Sequence, residues 1–445
     1  MRSLLRFYHR RRVSPVVAAN VDLAGNVARI EAERPRDGTL ERPTTRVSQL
    51  SNIIKTFFDL AAVFCVAPFR IVLENNVCCV LMHLMCVVRL ISESRQTLQF
   101  GIGKLPPSIK AFKVVNVLTT FIYKMLALRR FWFNQKNYLE IFQRIQDTPS
   151  FSLISFKVLR RPCVGAIFLV PVLQIIMSTI SGKGFIPLSK PWSITLWSNQ
   201  LLKFSRYSFF VDDSGLGFFD SNTTANWTIY DVPMSFLISI GSFQRQAVGT
   251  LYEVLVTSFT FTLWIAVRCF ATDIRRDTGN ALTYEQVLNR LDDLAKLSSA
   301  INDALGSHVF WMLAESVLYY AINLTDVATN PHPIVRLDAL IFYVIFLANL
   351  LVSADIRKQL LVVDIIWLNK ASNRRYHEFR TYNLLKSTQD KIGIEIDGSS
   401  TISYSFVAGY AVIVVSYFII CIQDGFKITM PCGIENYTIA MIPSI

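Results

Sequence analysis

Seven stretches of this chain are apolar over roughly the 20 residues that a helix needs to cross about 30 Å of hydrocarbon: 76–92, 112–128, 163–182, 245–267, 307–326, 337–356 and 401–423. A chain with so many such segments has few ways to fold. In lipid, every backbone N–H and C=O must be satisfied within the protein, and segments of this length do so as helices. The expected fold is an all-α polytopic membrane protein of seven spans. An eighth apolar stretch, 53–72, contains Lys55, Asp59, Pro68 and Arg70. Each charge at a helix centre costs about 2.5–3.5 kcal/mol to insert, so this stretch is expected to be a re-entrant or interfacial helix packed on the bundle.

The rest of the composition agrees. The chain is 52% hydrophobic and only 17% charged, too apolar for an ordinary soluble enzyme of 445 residues. Its net charge of +13 suits either nucleic acid or an anionic membrane face, and the distribution of the charge decides between them. Segments 1–75, 129–162, 268–306 and 357–400 hold 32 Lys and Arg, whereas 93–111, 183–244, 327–336 and 424–445 hold 9. By the positive-inside rule the first set is cytosolic, which puts the N-terminus inside and the C-terminus outside. The basic residues therefore follow the membrane face, and no nucleic-acid partner is expected. Four N-x-S/T sequons, at Asn222, Asn226, Asn323 and Asn436, all fall on the expected outer side and are candidate glycosylation sites, with Asn323 close to a span. This orientation is opposite to that of rhodopsin-like G-protein-coupled receptors.

Residues 1–50 carry ten Arg without a sustained apolar period and are expected to be a disordered cytosolic tail. Residues 51–423 form the expected helical domain, and 424–445 an extracellular tail. In YEQVLNRLDDLAKLSSAINDAL (284–305), Leu288, Leu291, Leu294, Leu297, Ile301 and Leu305 recur at spacings of three and four. That pattern predicts an amphipathic cytosolic helix running on through Gly306 into the fifth span. KNYLEIFQRIQD (136–147) behaves similarly below the second span. The long, aromatic-rich loop 183–244 is a candidate lid.

No P-loop, no G-x-S-x-G and no paired C-x-x-C is present, and the five His have no second ligand at metal spacing. No enzyme activity, metal or cofactor is expected. Of eight Cys, only Cys432 lies clearly outside, with Cys421 near the outer edge, which argues against a disulfide framework. Paired intramembrane charges and inverted repeats, which a transporter would show, are not evident. Polar groups do persist within the spans: Glu315 at mid-span, Tyr319 and Tyr320 above it, Gln174 and Ser178 in span three, and Asn116, Thr119 and Thr120 in span two. Glu315, Tyr319, Tyr320, Gln174 and Asn116 are the candidate ligand pocket, an aromatic wall with a few polar groups that opens outward.

The last span resembles that of arthropod gustatory receptors. That family ends its seventh helix in Thr-Tyr, five apolar residues, Gln and Phe; here Ser416-Tyr417 is followed by Phe418 to Ile422 and then Gln423, with Asp424 in the place of Phe. GIEIDGSSTI (393–402), RRFWFNQKNYLEIFQRI (129–145) and CVAPFRI (65–71) are similar to the stretches that precede helix seven, follow helix two and precede helix one in that family. The resemblance covers roughly residues 50–424. It implies a tetrameric, ligand-gated, non-selective cation channel in a sensory-neuron plasma membrane, opened by a small-molecule tastant and assembled with copies of itself or with other receptor subunits. Helix seven lines the pore in such an assembly. Carried over, Gln423 lies at the outer end of the pore, Ile420 in a hydrophobic gate, and Tyr417 braces the helix against its neighbours; Asp424 follows as an acidic ring at the mouth. Insect odorant receptors, related in fold and topology, are the nearest alternative, and a polytopic transporter is a more distant one.

Overall fold

The computed structural model describes residues 49–66, 73–102, 107–148, short pieces between 169 and 209, 227–276, 283–306, 308–329, 333–371 and most of 386–423. In chain order the elements are α1 (Gln49–Val63), α2 (Leu73–Ile102), α3 (Pro107–Phe133), α4 (Gln135–Asp147), α5 (Asp231–Arg276), α6 (Tyr284–Leu305), α7 (His308–Thr329), α8 (Pro333–Ala371), a hairpin of β1 (Glu395–Ile396) with β2 (Ser400–Thr401), and α9 (Tyr404–Gln423). The architecture is all-α apart from that hairpin. Six of the seven expected spans fall on helices, and 163–182 lies largely outside the described residues. Among the described residues, Val77–Arg95 and the long helix Asp231–Arg276 are apolar enough over sufficient length to cross a bilayer, and His308–Leu318 and Tyr404–Tyr417 are shorter apolar helices. The tail expected over 1–50 lies outside the described residues except for the start of α1, as does the tail 424–445.

Helix α5 is the axis of the bundle. At 46 residues it is about 70 Å long, more than twice the thickness of a bilayer core. It is buried along most of that length, from Ile238 through Leu251, Leu255, Phe259 and Leu263 to Ile274. Helices α1, α2, α3, α6 and α8 pack against it. With α2 the approach is close: a Cβ on Gly241 would collide with the backbone carbonyl of Met85 and press on Arg89 Cβ. A small residue lets two helix backbones come this near.

Helix α1 runs through Lys55 and Asp59, ends at Val63, well short of residue 72, and packs on the bundle as expected. Ile53, Ile54, Phe57, Leu60 and Ala61 are buried, and Phe57 and Phe58 meet Phe131 of α3 and Tyr138 of α4 at ring separations of 6.4 and 5.5 Å. The helix closes at a turn in which Cys65 takes φ 53°, and Gln244 of α5 donates to its carbonyl at 3.1 Å.

The second amphipathic segment is helical but not continuous with the fifth span. Helix α6 starts in a capping box, with Gln286 N–H donating to Thr283 Oγ1 and the Thr283 N–H to Gln286 Oε1. It stops at Leu305 because Gly306 takes φ 53° and its N–H returns to the Asn302 carbonyl at 2.6 Å. A side chain at 306 would strike the guanidinium of Arg130, which also reaches the Ala304 carbonyl at 3.4 Å. The residue read from sequence as a tolerated glycine is thus a true break, and α7 sets off afresh from His308. The buried stripe of α6 starts at Val287 rather than Leu288 and continues through Leu291, Leu294, Leu297 and Ile301.

Replacing Gly241 by Ala forces α2 and α5 apart. We expect a loss of about 1–3 kcal/mol, measured as a lower melting temperature of the detergent-solubilised protein by size exclusion; an unchanged melt would show that the two helices do not meet here.

Candidate functional site

The site is built where α7 meets α9. Helix α9 is apolar almost all round, yet it rests on the protein through one narrow stripe: Val407 and Val414 are buried, and Phe406 and Tyr410 are half-buried. The opposite face is open. Val412 is 65% exposed, Ser405, Ala408 and Ser416 are exposed, and a Cβ on Gly409 would meet nothing within 4 Å. A helix this apolar is normally enclosed by protein or lipid.

Tyr410 supplies the polar link on the buried stripe. Its hydroxyl lies 2.8 Å from Ser316 Oγ on α7. Ser316 donates its own proton to the Leu313 carbonyl at 2.9 Å, so Tyr410 is the donor in the shared bond. Phe346 of α8 meets the Tyr410 ring at 5.5 Å. The neighbour of Ser316 is Glu315, buried as the sequence suggested, and it acts electrostatically on both Tyr410 of α9 and Lys124 of α3. Lys124 is itself buried and also lies in the field of Arg245 and Glu93. Arg245 of α5 and Glu93 of α2 form an ion pair of 2.8 Å. Glu93 sits one residue past the expected first span and Arg245 at the first residue of the expected fourth, so the pair lies at the expected edge of the spans.

The base of α9 is fixed by a second set of bonds. Ser298 and Asn302 of α6 clamp the turn before the hairpin: Ser298 Oγ and Asn302 Nδ2 both donate to the Gly393 carbonyl at 2.9 Å, Gly393 N–H donates back to Ser298 Oγ at 3.0 Å, and Glu395 N–H donates to Asn302 Oδ1 at 3.1 Å. Arg357 of α8 holds the residues before that turn through the Gln389 carbonyl (3.1 Å) and the Asp390 carboxylate (3.0 Å). Asp355, two residues earlier on α8, accepts from Trp264 Nε1 of α5 at 2.7 Å, from Gln359 at 3.2 Å and from the Tyr404 hydroxyl of α9 at 3.4 Å. The hairpin replaces the first turn expected of the seventh span, so the helix begins at Tyr404 rather than 401.

The structure brings together only part of the residue set singled out from sequence. Glu315 is in the link just described. Asn116 on α3 is half-buried, and its side-chain carbonyl has no hydrogen-bond partner among the described residues. Tyr319 and Tyr320 follow on α7, but their side chains lie outside the described residues, as do Gln174, Asn222, Asn226 and Asn436 entirely. Asn323 lies within α7, whose helix extends to Thr329. On α9, Tyr417 is 38% exposed, two turns above Tyr410 on the flank of the buried stripe. Ile420 and Gln423 belong to the last turns of the helix with side chains outside the described residues, and Asp424 lies beyond them. Among the described residues no group of three His, Cys, Asp or Glu is placed to hold a metal ion.

Part of the long loop is anchored on α5. Arg206 makes two hydrogen bonds to Asp231, at 2.8 and 2.6 Å, and Thr228 adds its N–H and hydroxyl to the same carboxylate. The Arg206 guanidinium, helped by Thr228 and opposed by burial, holds the Asp231 carboxyl well below the usual range.

Comparison with solved structures places this fold. The olfactory receptor OR5 from Machilis hrabei in complex with eugenol superposes with a TM-score of 0.54 over 84% of this chain and 98% of that one, at 13% identity. Another structure of the same receptor gives 0.55 over 84% and 100%, at 11% identity. The chain has the fold of an insect olfactory receptor, matched over almost the whole length of those chains. No protein-family model and no curated protein matches its sequence.

Because the folded Asp231 carboxyl titrates below its unfolded value of about 3.9, its pairing stabilises the protein fully above that value, and this contribution is lost as pH falls through the folded-state pKa. Asp231→Asn is expected to cost about 2 kcal/mol at pH 7. In melts taken from pH 7 to pH 3 the gap between wild type and variant should hold to about pH 5 and then narrow; a constant gap would show that the pair does not set it.

Proposed function

We propose that this chain is a chemoreceptor subunit of the insect type, a ligand-gated, non-selective cation channel of the plasma membrane in which four copies of α9 surround the pore. The observation that carries this reading is the open face of α9, in a chain with the fold of OR5. Ser405, Gly409, Val412 and Ser416 share that face, and Ile420 and Gln423 follow them in the helical register. A water-filled pore accommodates a Gln that a lipid-facing position would not, and a ring of Ile one turn inward closes it by dewetting. Tyr417, outside this register, braces the helix against its neighbours. Asp424 follows as an acidic ring at the outer mouth.

The ligand is a small organic molecule that enters from outside among α3, α7 and the residues near 174. Asn116, Glu315, Tyr319, Tyr320 and Gln174 form the pocket. The Ser316–Tyr410 bond lies beside Glu315, so a ligand that moves α7 acts on α9 through it. Opening follows only if the ligand binds the open arrangement more tightly than the closed one. The seven-span topology has the N-terminus inside, and Asn222, Asn226, Asn323 and Asn436 are available for glycosylation outside. The subunit assembles as a homotetramer or with other receptor subunits. Within the class we assign taste, on the Ser416-Tyr417 to Gln423 motif and the GIEIDG run-in. The olfactory reading is the second one, favoured by the fold match to a receptor solved with eugenol.

Expressed in a heterologous cell, alone or with a co-receptor subunit, the chain should give a cation current evoked by tastants and insensitive to G-protein blockade. Response to volatile odorants alone would move it to the olfactory branch. Gln423→Ala or Ile420→Ala should alter ion selectivity or basal current. Tyr410→Phe, which removes the bond to Ser316, should shift the agonist concentration for half-maximal current several-fold without changing selectivity. Unchanged permeation in both pore variants would remove α9 from the pore.

A further inference from the structure

One face of α3 and α4 changes character along its length. Val115 and Leu118 are 50% and 52% exposed, and Ile122, Met125 and Leu126 continue the same stripe half-exposed. Three residues later the stripe reaches Arg129, then Phe133 at 78% exposure, then Lys136, all exposed. Spacings of four and three keep those from Val115 to Phe133 on one side of α3. Asn134 then leaves helical geometry (φ −99°, ψ 14°), with its N–H donating to the Arg130 carbonyl (3.0 Å) and the Tyr138 N–H to the Asn134 carbonyl (3.2 Å), and Lys136 stands exposed on the first turn of α4. The residues between them turn inward: Arg130 to the Ala304 carbonyl, Phe131 into the core, and Trp132 edge-on to His83 at 5.2 Å. Arg129 and Lys136 make no hydrogen bond or ion pair among the described residues, whereas the next turn is neutralised by the Glu140–Arg144 pair at 2.7 Å. The cationic window is therefore confined to Arg129–Lys136, about 10 Å of helix.

We infer that Arg129, Phe133 and Lys136 form a docking site for an anionic phospholipid headgroup of the cytosolic leaflet. The inference rests on the membrane-spanning reading above. Three features fit this occupant. The exposed apolar stripe from Val115 to Leu126 runs directly into the window, as acyl chains run into a headgroup. The window, about 10 Å of helix, is long enough to span one polar layer of a bilayer, about 5–7 Å. An aromatic ring between two cations offers an apolar body at the boundary and charge on either side, the arrangement that holds an anionic lipid at an interface. Lys124, on the opposite side of α3, is buried and takes no part.

The test titrates the full-length, detergent-solubilised protein with fluorescent phosphatidylserine and, separately, fluorescent phosphatidylcholine. Saturable binding that prefers phosphatidylserine is expected. Arg129→Gln and Lys136→Gln should each weaken it about fivefold, while Lys296→Gln on α6 should leave it unchanged and the charge-preserving pair Arg129→Lys with Lys136→Arg should retain it. Equal affinity for both lipids, or wild-type affinity in the double Gln variant, overturns the site. So does displacement of phosphatidylserine by millimolar inorganic phosphate, which would make the window a free-anion site. Should the Gln variants fail to fold, the lipid preference of the wild type and the phosphate competition decide by themselves. None of these readouts needs current, so a chain that conducts but shows no lipid preference loses only this inference.

Discussion

Everything else in the structure is hung on the burial of α5. A helix of 46 residues would be unstable as an isolated rod in water, and here five other helices cover it from Ile238 to Ile274. That coverage has a local condition: the backbones of α2 and α5 meet at Gly241 and Met85, and any side chain larger than hydrogen at 241 would separate them. Fixing α2 in this way sets Glu93 opposite Arg245. The ion pair follows from the close approach, since two long side chains would not otherwise be held in one geometry.

The same axis ties α9 to the rest of the protein. α9 has little packing of its own, only the stripe through Phe406, Val407, Tyr410 and Val414. Its position is held at two heights by polar bonds instead. At the base, the α6 clamp on Gly393 and the Asp355 bonds to Trp264 and Tyr404 bind it to α5, α6 and α8. Higher up, the bond from Tyr410 to Ser316 binds it to α7. Hydrogen bonds have narrow geometric limits, whereas apolar contacts slide easily. A helix held in this way keeps its height and rotation through its polar bonds rather than through its packing.

Much of this was legible in the residues. Apolar length located six of the helices, and the period of 284–305 located the buried face of α6. The charges in 53–72 set that stretch apart from the seven expected spans. What stayed hidden was relational. Gly306 is an ordinary tolerated glycine until Arg130, 176 positions away in the chain, is seen to fill the space beside it. Glu93 and Arg245 are each boundary charges until the helices are packed. Ser316 and Tyr410 are common in apolar helices and announce nothing by spacing. The hairpin before α9 was missed because two-residue strands have no period to detect, although Gly393 and Gly398, at φ 153° and 68°, mark where the chain had to turn. The candidate site was legible as a set of polar residues in apolar segments, but the connection among them was not.

The buried charges raise a constraint of their own. Lys124, Arg89 and Arg245 lie inside the bundle with Glu93, Glu253 and Glu315 around them, cations and carboxylates interspersed. Each charge is tolerable because the others are present; removing one leaves an opposite charge uncompensated in surroundings of low polarity, which is far more costly than removing a balanced pair. Glu315 is the member nearest α9, through Ser316 and Tyr410. A change of charge at Glu315 therefore alters the field felt by Tyr410 without touching α9.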